Sequence, residues 1–321
     1  MITDNLTIFM APMQGFTDAG YRSAHARLTG GVDTYCAPFV HLEHGEPRRR
    51  DIRDIAPEVN QGLTLLPQVL FRNVEELAVL TDAVTAQGYS HIDLNLGCPF
   101  PPQMKRGRGC GLLGRPEVME DVARFVASRP ELTFSVKMRL GADDPDQWKT
   151  IMPVINSMAL KHVTIHPRIG IQQYGGELYM DSLTEFASRL HHPLVYNGDI
   201  STVGGALDIA AKLPGLSGIM IGRGLLARPT LASEIKSALS GEQRPTPTDA
   251  EEIAVLLDLH DEIYQQYTAT LCGDAQLLSK IKPFWEYAGA LLPHKAAKAI
   301  RKAGSVRNYE RAVNDLRFYR G

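Results

Sequence analysis

Short runs dominated by apolar and β-branched residues recur along the chain: TIFMAPM near Ile8, TYCAPF near Tyr35, LLPQVL near Leu66, HIDLNL near Ile92, FSVKMRL near Val136, HVTIHP near Thr164, PLVYNGDI near Val195 and SGIMIGRG near Met220. Between them stand segments such as NVEELAVLTDAVTAQG, RPEVMEDVARFVASRP and VGGALDIAAKL, with apolar residues at helical spacing. Eight strand-like runs alternating with helices predict an α/β fold, a (β/α)₈ TIM barrel rather than an open doubly wound sheet.

The pattern changes after SALSGEQRPTPTDAEE, where prolines and small polar residues read as a linker. Thr248 with Glu251 forms a capping-box signature opening the helix EEIAVLLDLHDEIYQQYTATL, whose Ile253, Leu256, Leu257, Ile263 and Tyr267 fall mostly on one face. Further helices are expected around Trp285, in PHKAAKAIRKAG with Pro293 at its start, and in NYERAVNDLRFYRG. The predicted organisation is a barrel domain over residues 1–240 and a small all-helical bundle over 241–321.

In such a barrel the active site is built at the C-terminal ends of the strands. The polar residues ending the runs are Gln68, Asn95 with Cys98, Lys137 with Arg139, His166, Asn197 with Asp199, and Arg223. Taken singly, Gln68 or Asn95 can equally serve to satisfy backbone groups at a strand end, and His166 can be a hydrogen-bonded core histidine. Their recurrence at one end of so many strands favours a site. Gly198, Gly222 and Gly224 beside Arg223 would let backbone amides approach an anion after strands seven and eight, a frequent phosphate position in this fold. Lys137 lies within an otherwise apolar strand, where an ammonium needs a compensating electron-rich group unless it snorkels to the rim. Flavin mononucleotide (FMN) would offer such a group at its pyrimidine edge and a phosphate at its far end.

With 44% apolar and 22% charged residues, the chain can bury a large core plus an appendage and lacks the polar bias of a disordered protein. No signal-peptide pattern opens it and no apolar run approaches the roughly 20 residues of a membrane span, so a cytoplasmic, membrane-free protein is expected. Cys36, Cys98, Cys110 and Cys272 form no CxxC and read as reduced thiols. HLEH, His41 to His44, lacks the spacing that puts two histidines on one helical face and reads as a solvated loop, so no metal is expected. The formal charge of −2 says nothing about nucleic acid, but its distribution does. Residues 280–321 carry ten Lys/Arg against three Asp/Glu, whereas residues 241–279 carry one against eight. Lys295, Lys298, Arg301 and Lys302 share one predicted helix, a footprint of phosphate binding unless it is simply a solvated basic face.

The segments MAPMQGFTDAGYR, LPQVL, DLNLGCP, SVKMRLG, YNGDI and GIMIGRG, in this order, together with KIKPFWEYAGALL, resemble the tRNA dihydrouridine synthase family. LLPQVL and KIKPFW are most similar to its bacterial C-type branch, which acts on uridine 16 of the D-loop. The resemblance implies reduction of a tRNA uridine to 5,6-dihydrouridine: NADPH, or NADH, reduces FMN, hydride passes to C6 of the uracil, and a cysteine protonates C5. It further implies FMN held by Pro12, Met13, Gln68, Lys137, His166, Asn197, Gly198, Asp199, Gly222 and Arg223. Cys98 then becomes the proton donor and Asn95 a partner of the uracil, while the helical domain helps to hold tRNA through Lys295, Lys298 and Arg301. No obligate protein partner is evident, and a monomer is expected.

This gives the thiol in NLGCP a reason. An acid must quench the charge that hydride addition creates, and a thiol with an unperturbed pKa near 8.5 is mostly protonated at neutral pH. Lys105, Arg106 and Arg108 in the following KRGRG stretch can close over a polyanion, and the target base must leave its stack to reach the site. Two departures stand out. HPRIG puts Pro167 where the family commonly has glycine, and Cys110 adds a second thiol in the loop. A reductase of a free pyrimidine is the alternative, against which the basic tail and KRGRG argue.

Overall fold

A computed structural model describes residues 6–242 and 245–318. Its strands are β1 (Thr7–Met10), β2 (Thr34–Cys36), β3 (Val40–Glu43), β4 (Glu46–Pro47), β5 (Leu65–Leu66), β6 (Gln68–Leu70), β7 (His91–Leu96), β8 (Thr133–Gly141), β9 (Leu160–Ile169), β10 (Leu194–Asn197) and β11 (Gly218–Ile221). All pair in parallel except the β3–β4 hairpin. The cycle runs β1–β2–β5, crosses Pro67 into β6, and continues β7–β8–β9–β10–β11 back to β1. This is the expected TIM-type barrel.

Two of the eight barrel runs are broken. β2 pairs with β5 and β3 with β6, so the second run is interrupted around Pro38 and the third at Pro67. Proline has no N–H to give the ladder, but the Pro67 carbonyl accepts from Asp93 N–H at 2.9 Å, which keeps the third run joined to the fourth. HLEH corrects the expectation of a solvated loop. His41 to Glu43 lie in β3, and His44 and Gly45 form the turn into β4, both at positive φ (54° and 85°), as a two-residue hairpin turn of this kind requires. His41 Nδ1 lies 2.8 Å from an Asp51 carboxylate oxygen.

The period of two sorts each strand. In β7, Ile92, Leu94 and Leu96 join the core beneath the helices, while Asp93 and Asn95 join side-chain hydrogen bonds with Gln68 and Ser135. A second, smaller apolar cluster unites Phe9, Ala11, Cys36, Leu66, Val195 and Met220, with Met13 against it. β1, β2, β5, β10 and β11 thus furnish this cluster, whereas β6 to β9 carry Gln68, Asp93, Asn95, Ser135, Lys137 and His166. Gln68, Asn95, Lys137 and His166 thus come from one arc of neighbouring strands, β6 to β9.

Helix Leu231–Leu239 is followed by helix Asp249–Thr270, capped by the Thr248/Glu251 box. Gln243 and Arg244 of the linker, and Tyr319 to Gly321 at the end of the last predicted helix, lie outside the described residues. Around Trp285 the chain makes only a 3₁₀ turn, Lys282–Trp285, instead of a full helix, because Pro283 interrupts the α-helical bonding there. Helices His294–Lys302 and Val306–Leu316 follow. Asp18 caps the helix Ala19–Leu28 and also receives Lys280 (2.5 Å) and the Tyr267 hydroxyl (2.7 Å), tying the helical segment to the barrel. Among the described residues no helix is long and apolar enough to cross a membrane.

Candidate active site

A cavity of about 380 Å³ opens at the C-terminal ends of the strands. Its walls bring together Pro12, Met13, Gln68, Asn95, Cys98, Lys137, His166, Asn197, Gly198, Asp199, Gly222 and Arg223 from seven different strand ends. Strand register explains part of this, since Asn95 stands beside Lys137 and Arg139 beside His166.

One wall is a line of hydrogen bonds. Ser135 Oγ donates to Asp93 Oδ1 (2.7 Å), Gln68 Nε2 to Asp93 Oδ2 (2.7 Å), and Asn95 Nδ2 to Gln68 Oε1 (2.6 Å). Asn95 Oδ1 then accepts the backbone N–H of Gly97 (3.0 Å) and of Cys98 (2.8 Å). Asn95 therefore holds the cysteine loop while also lining the cavity. Gly109 closes the loop from the other side: at φ 57° it lies so near Cys98 that an added Cβ would fall 2.7 Å from the Cys98 Cβ.

Burial holds the Cys98 thiol above its usual range, outweighing the Phe100 amide and the charges of Arg139 and Lys137 that act to lower it. The group stays protonated at neutral pH. Cys110 is different: it is fully buried in the core, its thiol pushed up to about 12 chiefly by burial, and its backbone N–H donates to the Cys98 carbonyl (3.1 Å). It packs beneath the loop and does not line the cavity. Cys36 is likewise buried, and Cys272 is exposed on the helical segment.

Lys137 makes no ion pair or hydrogen bond among the described residues, and burial, with Arg139 nearby, pushes its ammonium down to about 8. An amine so placed suits an electron-rich ligand edge. At the far wall, Asp199 at φ 45° receives Arg168 and Arg223, two guanidinium groups on one carboxylate. The excess positive charge fits a phosphate. Gly222 has Met13 Sδ 3.2 Å and Gly198 the Tyr196 hydroxyl 2.9 Å from the place of a Cβ, so both keep backbone bare at the wall.

Arg168 is not among the strand-end residues expected from the sequence, although it lies two residues after His166 and so on the same side of β9. Its Nη1 donates to His166 Nε2 (3.2 Å); since arginine only donates, the proton of the neutral imidazole is on Nδ1. Burial, then the charges of Arg139, Lys137 and Arg168, hold His166 well below its usual range. Pro167 fits because β8 and β9 shift register between Arg139 and Gly141, which takes the proline out of the ladder; it does not line the cavity.

Of the three cations in KRGRG, Lys105 and Arg106 are exposed and without an ion pair among the described residues. Arg108 departs from its expected role. It is 6% exposed, with Nε and Nη2 on the two carboxylate oxygens of Glu76 (3.1 and 2.8 Å), and it anchors the loop instead of reaching outward. Lys295, Lys298 and Arg301 lie exposed on helix His294–Lys302, away from the cavity walls, with Ile300 of that helix buried.

The family model described as dihydrouridine synthase (Dus) matches residues 9–304. The tRNA-dihydrouridine(16) synthase of Neisseria meningitidis serogroup B is 26% identical over 323 residues, covering 96% of both proteins. That of Pseudomonas putida is 27% identical over 319 residues, covering 96% of this chain and 90% of the relative. A probable tRNA-dihydrouridine synthase of Rickettsia typhi is 30% identical over 81% of this chain and 80% of its own length. Among solved structures, morphinone reductase shares the fold, with a TM-score of 0.51 at 11% identity over 77% of this chain and 88% of that one.

Proposed function

The chain belongs to the dihydrouridine synthase family, and from that premise we propose that it reduces a uridine of tRNA, at position 16 as the names of its Neisseria and Pseudomonas relatives state for them, to 5,6-dihydrouridine. The observation that carries the reading is Cys98, a thiol kept protonated by burial and fixed by Asn95 on the wall of a cavity that also holds the unpaired amine of Lys137.

The residues present fit FMN. Lys137 would hold its pyrimidine edge, with Gln68 and Asn197 also lining the cavity, and Arg223 with the bare backbone at Gly198 and Gly222 would hold its phosphate, Arg168 acting through Asp199. Bound there, FMN would supply the hydride for C6 of the uracil, its electrons coming from NADPH or NADH. Cys98 gives its proton to C5, so that two hydrogens add across the C5–C6 double bond, and the thiolate regains a proton from water at the cavity mouth. Arg139 and Lys137 nearby favour that thiolate once formed.

Residues up to 240 form the catalytic unit in this reading, and those from 241 on grip the RNA. Lys295, Lys298 and Arg301 supply phosphate contacts, as do Lys105 and Arg106 at the mouth. A free pyrimidine would need none of these cations. The test is NADPH consumption with FMN present, given either unmodified tRNA or free uracil and uridine. Turnover with tRNA alone is expected; equal turnover with free pyrimidines would overturn the assignment.

A further inference from the structure

Most large apolar side chains of this protein are covered, yet Phe100 (58% exposed), Ile171 (65%) and Tyr174 (51%) gather on the loops that follow β7 and β9 at the cavity mouth. The two loops touch: Met104 Cε lies 2.7 Å from where a Cβ on Gly170 would stand. Within this group Phe100 is the side chain the fold explains least. It lines the cavity rim two residues after Cys98, beyond the buried Pro99, and its ring stacks on no other ring of the protein among the described residues.

Its mount is stiff. Phe100 precedes the short helix Pro101–Lys105, which starts with two prolines, and its carbonyl accepts the N–H groups of Gln103 (2.9 Å) and Met104 (3.1 Å). At the other end of that helix stand the exposed Lys105 and Arg106. Behind it, Arg108 on Glu76 fastens the loop to the barrel. A flat apolar face, held in place and flanked by unpaired cations, is what an unstacked nucleotide meets in proteins that bind single-stranded nucleic acid.

We propose that Phe100 is a stacking platform for a nucleobase adjacent to the one that enters the cavity, with Lys105 and Arg106 meeting the phosphates of that strand. The proposal rests on the tRNA reading above. Withdrawing one base from a stack leaves its neighbours with a bare face each. Phe100 is 58% exposed whereas Cys98 is half-buried, and on that difference the ring is assigned to a neighbour and not to the reacting uracil. Because the ring is exposed, its removal leaves the core and the FMN-holding residues intact.

The experiment compares Phe100→Ala, Phe100→Leu and Phe100→Trp with the unaltered protein, in steady-state reduction of unmodified tRNA and in FMN binding by fluorescence. Phe100→Ala should lower kcat/KM for tRNA by roughly tenfold, chiefly through KM. Phe100→Leu should recover little of it and Phe100→Trp nearly all, with FMN affinity unchanged throughout. Full activity of Phe100→Ala overturns the proposal, as does full rescue by leucine, which would make the ring mere apolar bulk, or a parallel loss of FMN binding. If the unaltered protein neither binds nor reduces tRNA, the functional reading falls and the platform with it; the variants decide only on the platform.

Discussion

The Oδ1 atom of Asn95 accepts the backbone N–H of Cys98 at 2.8 Å, so the residue that ends one strand fixes the thiol three positions later. Asn95 is itself oriented by Gln68, and Gln68 by the fully buried Asp93. Replacing Asn95 with alanine removes the acceptor for two loop amides while leaving Lys137 and the phosphate wall in place. Uridine reduction should drop on the order of 10²-fold, the scale of a small misplacement of a reacting group, with FMN content retained. Single-turnover rates and the flavin absorbance of the purified variant check both.

The two thiols of the loop should separate cleanly. Cys98→Ala should keep its yellow colour and NADPH oxidation yet lose about 10²- to 10⁴-fold in uridine reduction, the usual weight of a general acid. Cys110→Ala should do the reverse, keeping kcat while losing about 1 kcal/mol of stability through a small core void. Urea denaturation and tRNA turnover on both variants decide it, and loss of turnover in Cys110→Ala alone would exchange their roles.

The pH dependence follows from the direction of the Cys98 shift. The acid must be protonated to act, and burial keeps it so beyond its ordinary range. Turnover at saturating tRNA should therefore stay level through neutral pH and fall only on the alkaline side, as pH rises through the thiol's raised pKa. A Cys98→Ser variant should lack that alkaline limb; an identical limb would assign it to another group.

The contact of Asp18 with Lys280 and Tyr267 should hold the helical segment to the barrel. Asp18→Asn keeps a side chain able to cap its helix but removes the charge, and should cost about 1–2 kcal/mol; Asp18→Ala also loses the cap and should cost roughly 1 kcal/mol more. Burial raises the Asp18 pKa, but Lys280 and the bonds from Tyr267 and Tyr21 outweigh it and leave the carboxyl below its usual value. Its contribution is then complete above the unfolded carboxylate pKa and fades as pH falls through the folded one. The stability gap between the protein and Asp18→Asn, measured from pH 7 downward, should narrow only below about pH 4.

On the helical segment, replacing Lys298 and Arg301 with glutamine should weaken tRNA binding and reduce the slope of log K against log salt by somewhat under one for each phosphate no longer neutralised. Filter binding at several salt concentrations measures this, and an unchanged slope would remove that helix from the RNA interface.

The barrel was legible because its strands keep a period of two and its helices a period near 3.6, and because the residues at the strand ends are polar where the strands are not. What escaped depends on partners distant in sequence. Arg108 reads as one more cation in a basic loop until Glu76, 32 positions earlier, is seen to take both of its donors. HLEH reads as polar loop because a hairpin on the barrel rim is exposed and carries little apolar alternation. That Asn95 also holds the cysteine loop shows only once its side chain is placed, with its oxygen on the amides of Gly97 and Cys98. Arg168 was within reach of the alternation rule, but the proline before it masked the continuation of β9 around the bulge.

Mass-spectrometric mapping of an unmodified tRNA after incubation with the protein, FMN and NADPH tests the central claim most directly. The account predicts two added hydrogens at uridine 16 and none with Cys98→Ala. An unaltered tRNA from a protein that holds flavin and oxidises NADPH, or equal conversion by Cys98→Ala, would contradict it.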